Sequence, residues 1–235
     1  MNVIYGSRCV VCGRRRATTE GGLCEVCREA LTPREEARCP RCGVRLGPHV
    51  IVEGRCSYCR SRRIGVASTS AVFSYQGVVR QQIHAAKFER QWAICRRLAR
   101  VFARHLTREH VPADADLVVS VPMFWLDRRL RGLHLAGALG RALAERLSLD
   151  YDTHVLRQLR PSRRQFRLTS AERFRNVRGL FATRNGVDLA KRTVLLVDDV
   201  MTTGATASEC ARVLRRAGAK TIHAAVLART EPPSD

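Results

Sequence analysis

Lysine is almost missing from this chain: of its 42 basic residues only Lys87, Lys191 and Lys220 are lysine, and the other 39 are arginine. With no lysine behind a GxxxxG loop, a Walker-type nucleotide site is excluded, and no GxGxxG turn offers a dinucleotide fingerprint. An HxE motif paired with PCxxC is also absent, which excludes a zinc deaminase. Long apolar runs are lacking; the best, LVVSVPMFWL (117–126), has ten residues and includes Ser120, well short of a membrane span. The start, MNVIYGSRC, has no apolar stretch of the kind a secretory signal needs, so a cytoplasmic protein is expected. Acids are scarce too, 21 against 42 bases, for a formal charge of +21. A GC-rich codon bias would explain arginine in place of lysine but not the excess over acids. That excess favours a polyanionic partner: nucleic acid, a phosphorylated ligand or an acidic membrane face.

Cysteine is abundant and ordered. Eight of the ten cysteines fall before residue 60, in four C-x-x-C pairs: CVVC (9–12), CEVC (24–27), CPRC (39–42) and CSYC (56–59). Such a pair brings two thiolates to one ion from a tight knuckle, and two knuckles complete a tetrahedral Cys₄ zinc site. Four copies without a thioredoxin-like context argue against redox pairs, and the lack of an export signal argues against disulfides. The repeat of about thirty residues favours Cys9, Cys12, Cys24 and Cys27 on one Zn²⁺, with Cys39, Cys42, Cys56 and Cys59 on a second. The spacing alone also permits a crossed arrangement. Two tetrathiolate centres would lower the formal charge from +21 to about +17. So small a module has few large apolar side chains, and metal is expected to supply much of its folding energy. Cys95 and Cys210 stand alone in helical patterns and read as core thiols.

The chain divides into a double zinc-ribbon module over 1–63 and a larger domain over 64–235. In the latter, strands are expected at 68–75, 116–123, 194–197 and 221–228. Helices are expected at 77–87, 91–106, about 133–147 and about 205–217, the last closed by Gly218. FWLDRRLRG (124–132) reads as a loop. Near-continuous apolar strands alternating with helices imply an α/β fold with a mostly parallel sheet covered on both faces. Ligands in such folds bind beyond the carboxyl ends of the strands, which points to 120–130 and 198–206.

At 198–206 the apolar run VLLV gives way to Asp198 and Asp199, then Val200, Met201, Thr202, Thr203, Gly204, Ala205 and Thr206. The threonine and glycine segment opens a helix, whose unpaired N–H groups and dipole favour phosphate. The carboxylates cannot hold phosphate, but they accept hydrogen bonds from sugar hydroxyls and stabilise positive charge on a ribose ring. A ribose 5-phosphate suits both halves. The plainer alternative is a polar turn in which one of these residues merely caps the helix.

This motif resembles the 5-phosphoribosyl-1-pyrophosphate (PRPP) loop of type I phosphoribosyltransferases, and with the cysteine module in front the chain from Cys9 to about Arg229 resembles the ComF family. Further matches are SVP (120–122), Arg131-Gly132 and QFRLTSAERFRNVRGLF (165–181), in which Gln165, Arg173, Asn176 and Gly179 follow the family's Q…R..N..G pattern. RGLHLA (131–136) departs from the family's commoner RGFNQA. The resemblance implies a fold of the type I phosphoribosyltransferase class. It implies a pyrophosphate loop with Val121, Pro122, Arg128 and Arg129, and Mg²⁺ accompanying PRPP in any active enzyme. No general base for an acceptor is evident.

The stretch 157–178 holds eight arginines and one acid, Glu172. By the same resemblance it is a mobile loop or hairpin over the substrate. Its arginines, with Phe166 and Phe174 to stack on bases, also suit a nucleic-acid strand. Arg163, Arg164, Gln165, Arg167, Arg173 and Asn176 are assigned to this role, together with Lys87, which sits where the family usually has a lysine before an aromatic. Three functions follow. The first is a ComF-like protein of DNA uptake or DNA utilisation that binds single-stranded DNA, carries a PRPP or nucleotide site and meets proteins of the competence machinery. The second is an active phosphoribosyltransferase acting on a base or amine. The third is a zinc-ribbon scaffold for protein partners. A glutamine amidotransferase is not supported, because Cys9 belongs to a knuckle.

Overall fold

The computed structural model describes residues 8–9, 11–14, 18–19, 23–34, 36–47, 50, 52, 54–62, 64–88, 91–161 and 169–232. The first ribbon comprises β1 (Thr18–Thr19) paired antiparallel with β2 (Leu23–Cys24), then α1 (Glu25–Ala30). The second carries a bridge between Arg38 and Arg45 and the single turn α2 (Ser57–Arg60). The larger domain runs β3 (Thr69–Ser74), α3 (Gly77–Phe88), α4 (Trp92–His105), β4 (Leu117–Ser120), α5 (Trp125–Arg131), α6 (Leu135–Leu147), β5 (Asp150–Tyr151), β6 (Leu156–Gln158), α7 (Ser170–Val177), β7 (Phe181–Thr183), β8 (Thr193–Met201), α8 (Ala205–Arg216) and β9 (Thr221–Arg229).

β3, β9, β8, β4 and β5 lie side by side in that order, all parallel, and β6 and β7 form a separate antiparallel hairpin. Alternation along each strand sends residues to opposite faces. Val118, Leu195, Val197, Ala225 and Leu227 pack toward α3, α4 and α6. Leu117, Val119, Val194, Leu196, Ala224 and Val226 pack toward α8 and the hairpin. In α4 the buried positions Ile94, Cys95, Leu98, Ala99, Phe102 and Ala103 form one helical stripe, and Cys210 of α8 is buried in the other layer. The ribbons join these cores. Cys9, Cys24, Cys27 and Leu31 pack in the α3/α4 layer, while Cys39, Cys42, Val44, Cys56 and Cys59 pack in the α8 layer. Among the described residues no helix is long and apolar enough to cross a membrane.

Three elements differ from expectation. The segment expected as a mobile loop or hairpin carries the helix α7 over Ser170–Val177, opened by Thr169 as its cap. The stretch after β4 is a helix, α5, rather than a loop, since WLDRRLR holds good helix formers with Asp127 in its first turn and no breaker before Gly132 at φ 68°. β8 does not stop at Val197. It continues through both carboxylates because β9 reaches as far and pairs with Asp198, Val200 and Met201.

Candidate functional site

Asp198 and Asp199 lie just past the end of β4, whose last residue, Ser120, pairs with Val197. The strand carries them to different sides. Asp199 points toward α3, where the Lys87 ammonium meets its Oδ1 at 2.6 Å. Asp198 folds back to accept the Asp199 N–H at 2.8 Å, and its charge is felt by Cys210 of α8. Both acids are half-buried. Burial, then the charge of Asp199, pushes the Asp198 carboxyl up to about 8, against the opposing pull of Lys87. Burial lowers Lys87, but the two aspartates outweigh it and hold the ammonium above its ordinary value.

Beyond β8 the chain turns through Thr202 and Thr203 to Gly204, whose φ of 82° lets it cap α8. The positive φ is what makes this position suit glycine, since the nearest atom to an added Cβ is the movable end of the Met201 side chain. Thr203 is buried, with its Oγ1 accepting the Ala205 N–H at 3.4 Å, while Thr202 and Thr206 stay half-exposed. Val200 packs against the α3/α4 core, and Met201 and Ala205 are buried in the α8 layer. The first turn of α8 thus faces the same edge as the two acids, a setting for an anion beside sugar hydroxyls.

The SVP stretch lies on the neighbouring strand. Val121 is buried, its N–H donates to Val197 O at 2.9 Å, and Pro122 has none to offer, so amide contacts from this loop must begin at Met123. Arg128 and Arg129 lie on α5, and Arg129 is exposed. His134, in the segment that departs from the expected pattern, sits within 2.9 Å of Val121 O through Nε2 and ties β4 to α6. Arg173 and Asn176 lie on α7, opened by a capping box in which Thr169 accepts the Glu172 N–H and Glu172 Oε2 accepts the Thr169 N–H at 2.7 Å. The Gly179 N–H donates to Glu209 of α8 at 2.7 Å, anchoring this segment beside the candidate site. Arg163, Arg164, Gln165, Phe166 and Arg167 lie outside the described residues. Phe174 packs against the core, so it is not an open stacking platform. Among the described residues the exposed large aromatics are elsewhere, at Phe88, Trp92 and Trp125. Lys87 belongs to the carboxylate pair rather than to the arginine-rich segment.

The cysteines form two quartets, Cys9/Cys12/Cys24/Cys27 and Cys39/Cys42/Cys56/Cys59, each with its sulfurs within 4.8 Å of one another. A tetrahedral centre with Zn–S of about 2.3 Å needs sulfur–sulfur edges of about 3.8 Å. The separations are 3.8 Å for Cys12–Cys24 and Cys39–Cys59, 3.6 Å for Cys42–Cys56 and 3.7 Å for Cys56–Cys59. The geometry fits zinc and selects the uncrossed pairing. Burial raises Cys39, yet the backbone N–H groups of Cys42, Cys56 and Arg41 bring it down to about 7; Cys9 is held at about 6 in the same manner.

One residue at this edge carries no motif. Arg229, the last residue of β9, is fully buried. Its Nε donates to Cys42 O at 2.8 Å, and its Nη1 lies on the carbonyls of Met201 (3.0 Å), Thr202 and Thr230 (2.6 Å). Nη2 has no acceptor among the described residues. Nearby, the Gly65 N–H donates to Ser208 Oγ at 2.9 Å, and that hydroxyl donates to Gly204 O at 2.7 Å.

The Phosphoribosyl transferase domain family matches residues 97–234, and the Double zinc ribbon domain family matches residues 1–61. The chain is 31% identical over 228 residues to the DNA utilization protein YhgH of Salmonella typhi, covering 94% of this chain and 96% of that protein. It is 26% identical to competence protein F of Haemophilus influenzae, over 96% of this chain and 98% of the relative. Among solved structures it is similar to the glutamine phosphoribosylpyrophosphate amidotransferase of B. subtilis at 25% identity and a TM-score of 0.37, over 56% of this chain and 25% of the other.

Proposed function

Because this chain belongs to the Phosphoribosyl transferase domain family, we propose that it is a DNA-handling protein of the competence or DNA-utilisation type with a ribose-phosphate site at the end of β8. The observation that carries the proposal is the meeting, at one sheet edge, of Asp198 and Asp199 with the Gly204-capped start of α8. PRPP, as its magnesium complex, or a related nucleotide is the ligand. Its 5-phosphate takes the amides at the helix start and its ribose hydroxyls take the aspartates. Single-stranded DNA binds through the arginine surface, with the exposed Phe88, Trp92 and Trp125 as stacking groups in place of Phe174. In this reading the chain is a ribbon module over 1–63 followed by a larger domain over 64–235, whose sheet edge supplies the aspartates and the helix start.

Transfer chemistry is the second reading, supported by the family match. Burial and the charge of Asp199 raise the Asp198 carboxyl above its ordinary value in the free protein. The test is a titration of PRPP·Mg²⁺ and of single-stranded DNA against wild type and an Asp198→Asn/Asp199→Asn double variant. Loss of PRPP with DNA binding intact is expected; normal PRPP binding by the variant would end the proposal. Pyrophosphate release from PRPP with a panel of bases would establish the second reading instead.

A further inference from the structure

Arg229 is a cation with no exposure at all, and among the described residues no carboxylate forms an ion pair with it. A buried charge needs compensation, and here it comes from the Tyr58 ring, 5.4 Å from the guanidinium carbon, and from main-chain carbonyls of the second ribbon, of the turn after β8 and of Thr230. The ribbon carbonyl is that of Cys42, a member of the second quartet. Those of Met201 and Thr202 belong to the turn between the aspartates and α8.

A second route joins the same partners. Arg41, inside the third knuckle, donates to Ala67 O at 2.9 Å and Ile64 O at 2.8 Å and so holds the segment that follows the fourth knuckle. The next residue, Gly65, feeds the relay through Ser208 to the carbonyl of Gly204. A Cβ on Gly65 would lie 2.8 Å from the Ser208 backbone, so the approach is close. Both ends of the turn from Met201 to Gly204 are therefore fixed to the second ribbon, one through a guanidinium and one through a hydroxyl.

We propose that Arg229 is a positioning residue that makes the second zinc ribbon part of the ribose-phosphate site: it transmits the metal-held geometry of Cys42 to the Met201–Thr202 carbonyls and so sets the direction of the amides that follow. The shape of the turn depends on this ribbon whatever it binds; the consequence for PRPP rests on the function proposed above. The first ribbon, packed in the opposite layer, makes none of these contacts.

The test uses the full zinc-loaded chain and reads amide hydrogen exchange over 199–207, zinc content and PRPP·Mg²⁺ affinity. Arg229→Lys and Arg229→Met are compared with wild type and with Arg45→Met, which removes a 3.4 Å ion pair to Glu36 within the same ribbon and leaves the Tyr58 ring that Arg229 contacts in place. In both Arg229 variants, with two zinc ions per chain retained, exchange over 199–207 should rise and PRPP affinity fall, each by roughly tenfold or more, the scale of one charge-assisted hydrogen bond. Arg45→Met should leave both at wild-type levels. If an Arg229 variant unfolds as a whole, a chelator series on wild type decides: protection over 199–207 should be lost together with that over 39–45. Unchanged exchange over 199–207 in a zinc-loaded Arg229 variant, or in protein stripped at the second quartet, would overturn the proposal. Failure of wild type to bind PRPP would defeat the ligand assignment and leave the exchange result standing.

Discussion

Lys87 and Asp199 form the shortest ion pair of the edge, 2.6 Å between two side chains that are 26% and 13% exposed. Replacing Lys87 with Met leaves two adjacent acids with no cation between them. We expect a loss of about 2 kcal/mol in urea unfolding, from an acid left partly buried and unpaired. Asp198 gives a pH signature. Its folded value, about 8, lies above the ordinary carboxylate range, so the folded chain keeps a proton that the unfolded chain has already released. The associated stability is present in full below about pH 4 and declines as pH rises toward 8. The unfolding free energy of wild type minus that of Asp198→Asn should therefore fall across this window; a flat difference would contradict the assignment. At the turn, Gly204→Ala puts a side chain on a positive φ, and a loss of about 1–3 kcal/mol with weaker PRPP binding is expected by thermal melting and titration. The DD-TTGAT run was legible at this scale because local chemistry alone makes a carboxylate pair and a helix start. Arg229 was not. A lone arginine at the end of a strand becomes informative only when folding brings residues 42, 201 and 229 together.

Elements explain which expectations held and which did not. The four principal strands and the helices α3, α4, α6 and α8 follow from apolar periodicity, which is the sequence image of the two core layers. β8 outran its apolar run because pairing with β9 lies outside any local window. The helix α7 was legible in principle, since Thr169-Ser-Ala-Glu172 is a capping box, but the family resemblance pointed to a mobile loop or hairpin there. Thr169→Ala should remove the cap at a cost of about 1 kcal/mol, seen as faster amide exchange over 170–177 without a change over 205–216. The same helix explains Phe174: once the segment is helical, one face must turn inward, and this ring takes it.

For the whole molecule, net charge and metal dominate. The formal +21 predicts DNA binding that weakens steeply with salt, and a plot of log affinity against log salt should be linear with a slope of several phosphates. The chain has two tryptophans, Trp92 and Trp125, both exposed, so single-stranded DNA stacked on them should quench intrinsic fluorescence. The zinc quartets were visible in the spacing of the cysteines. That they share their cores with the sheet was not, because a ribbon with few large side chains looks self-contained until its neighbours are known.

The ribbons sit in opposite core layers, and the third knuckle lies against β3, where the Thr69 N–H donates to Pro40 O at 2.9 Å. β3 is an outer strand of the sheet, and the opposite one, β5, is two residues long. The knuckles thus act as a clip over the flank where a strand from another molecule could otherwise add. On gentle removal of metal, light scattering should rise while the helical circular-dichroism signal is still intact: the chain would be lost to self-association before it is lost to unfolding.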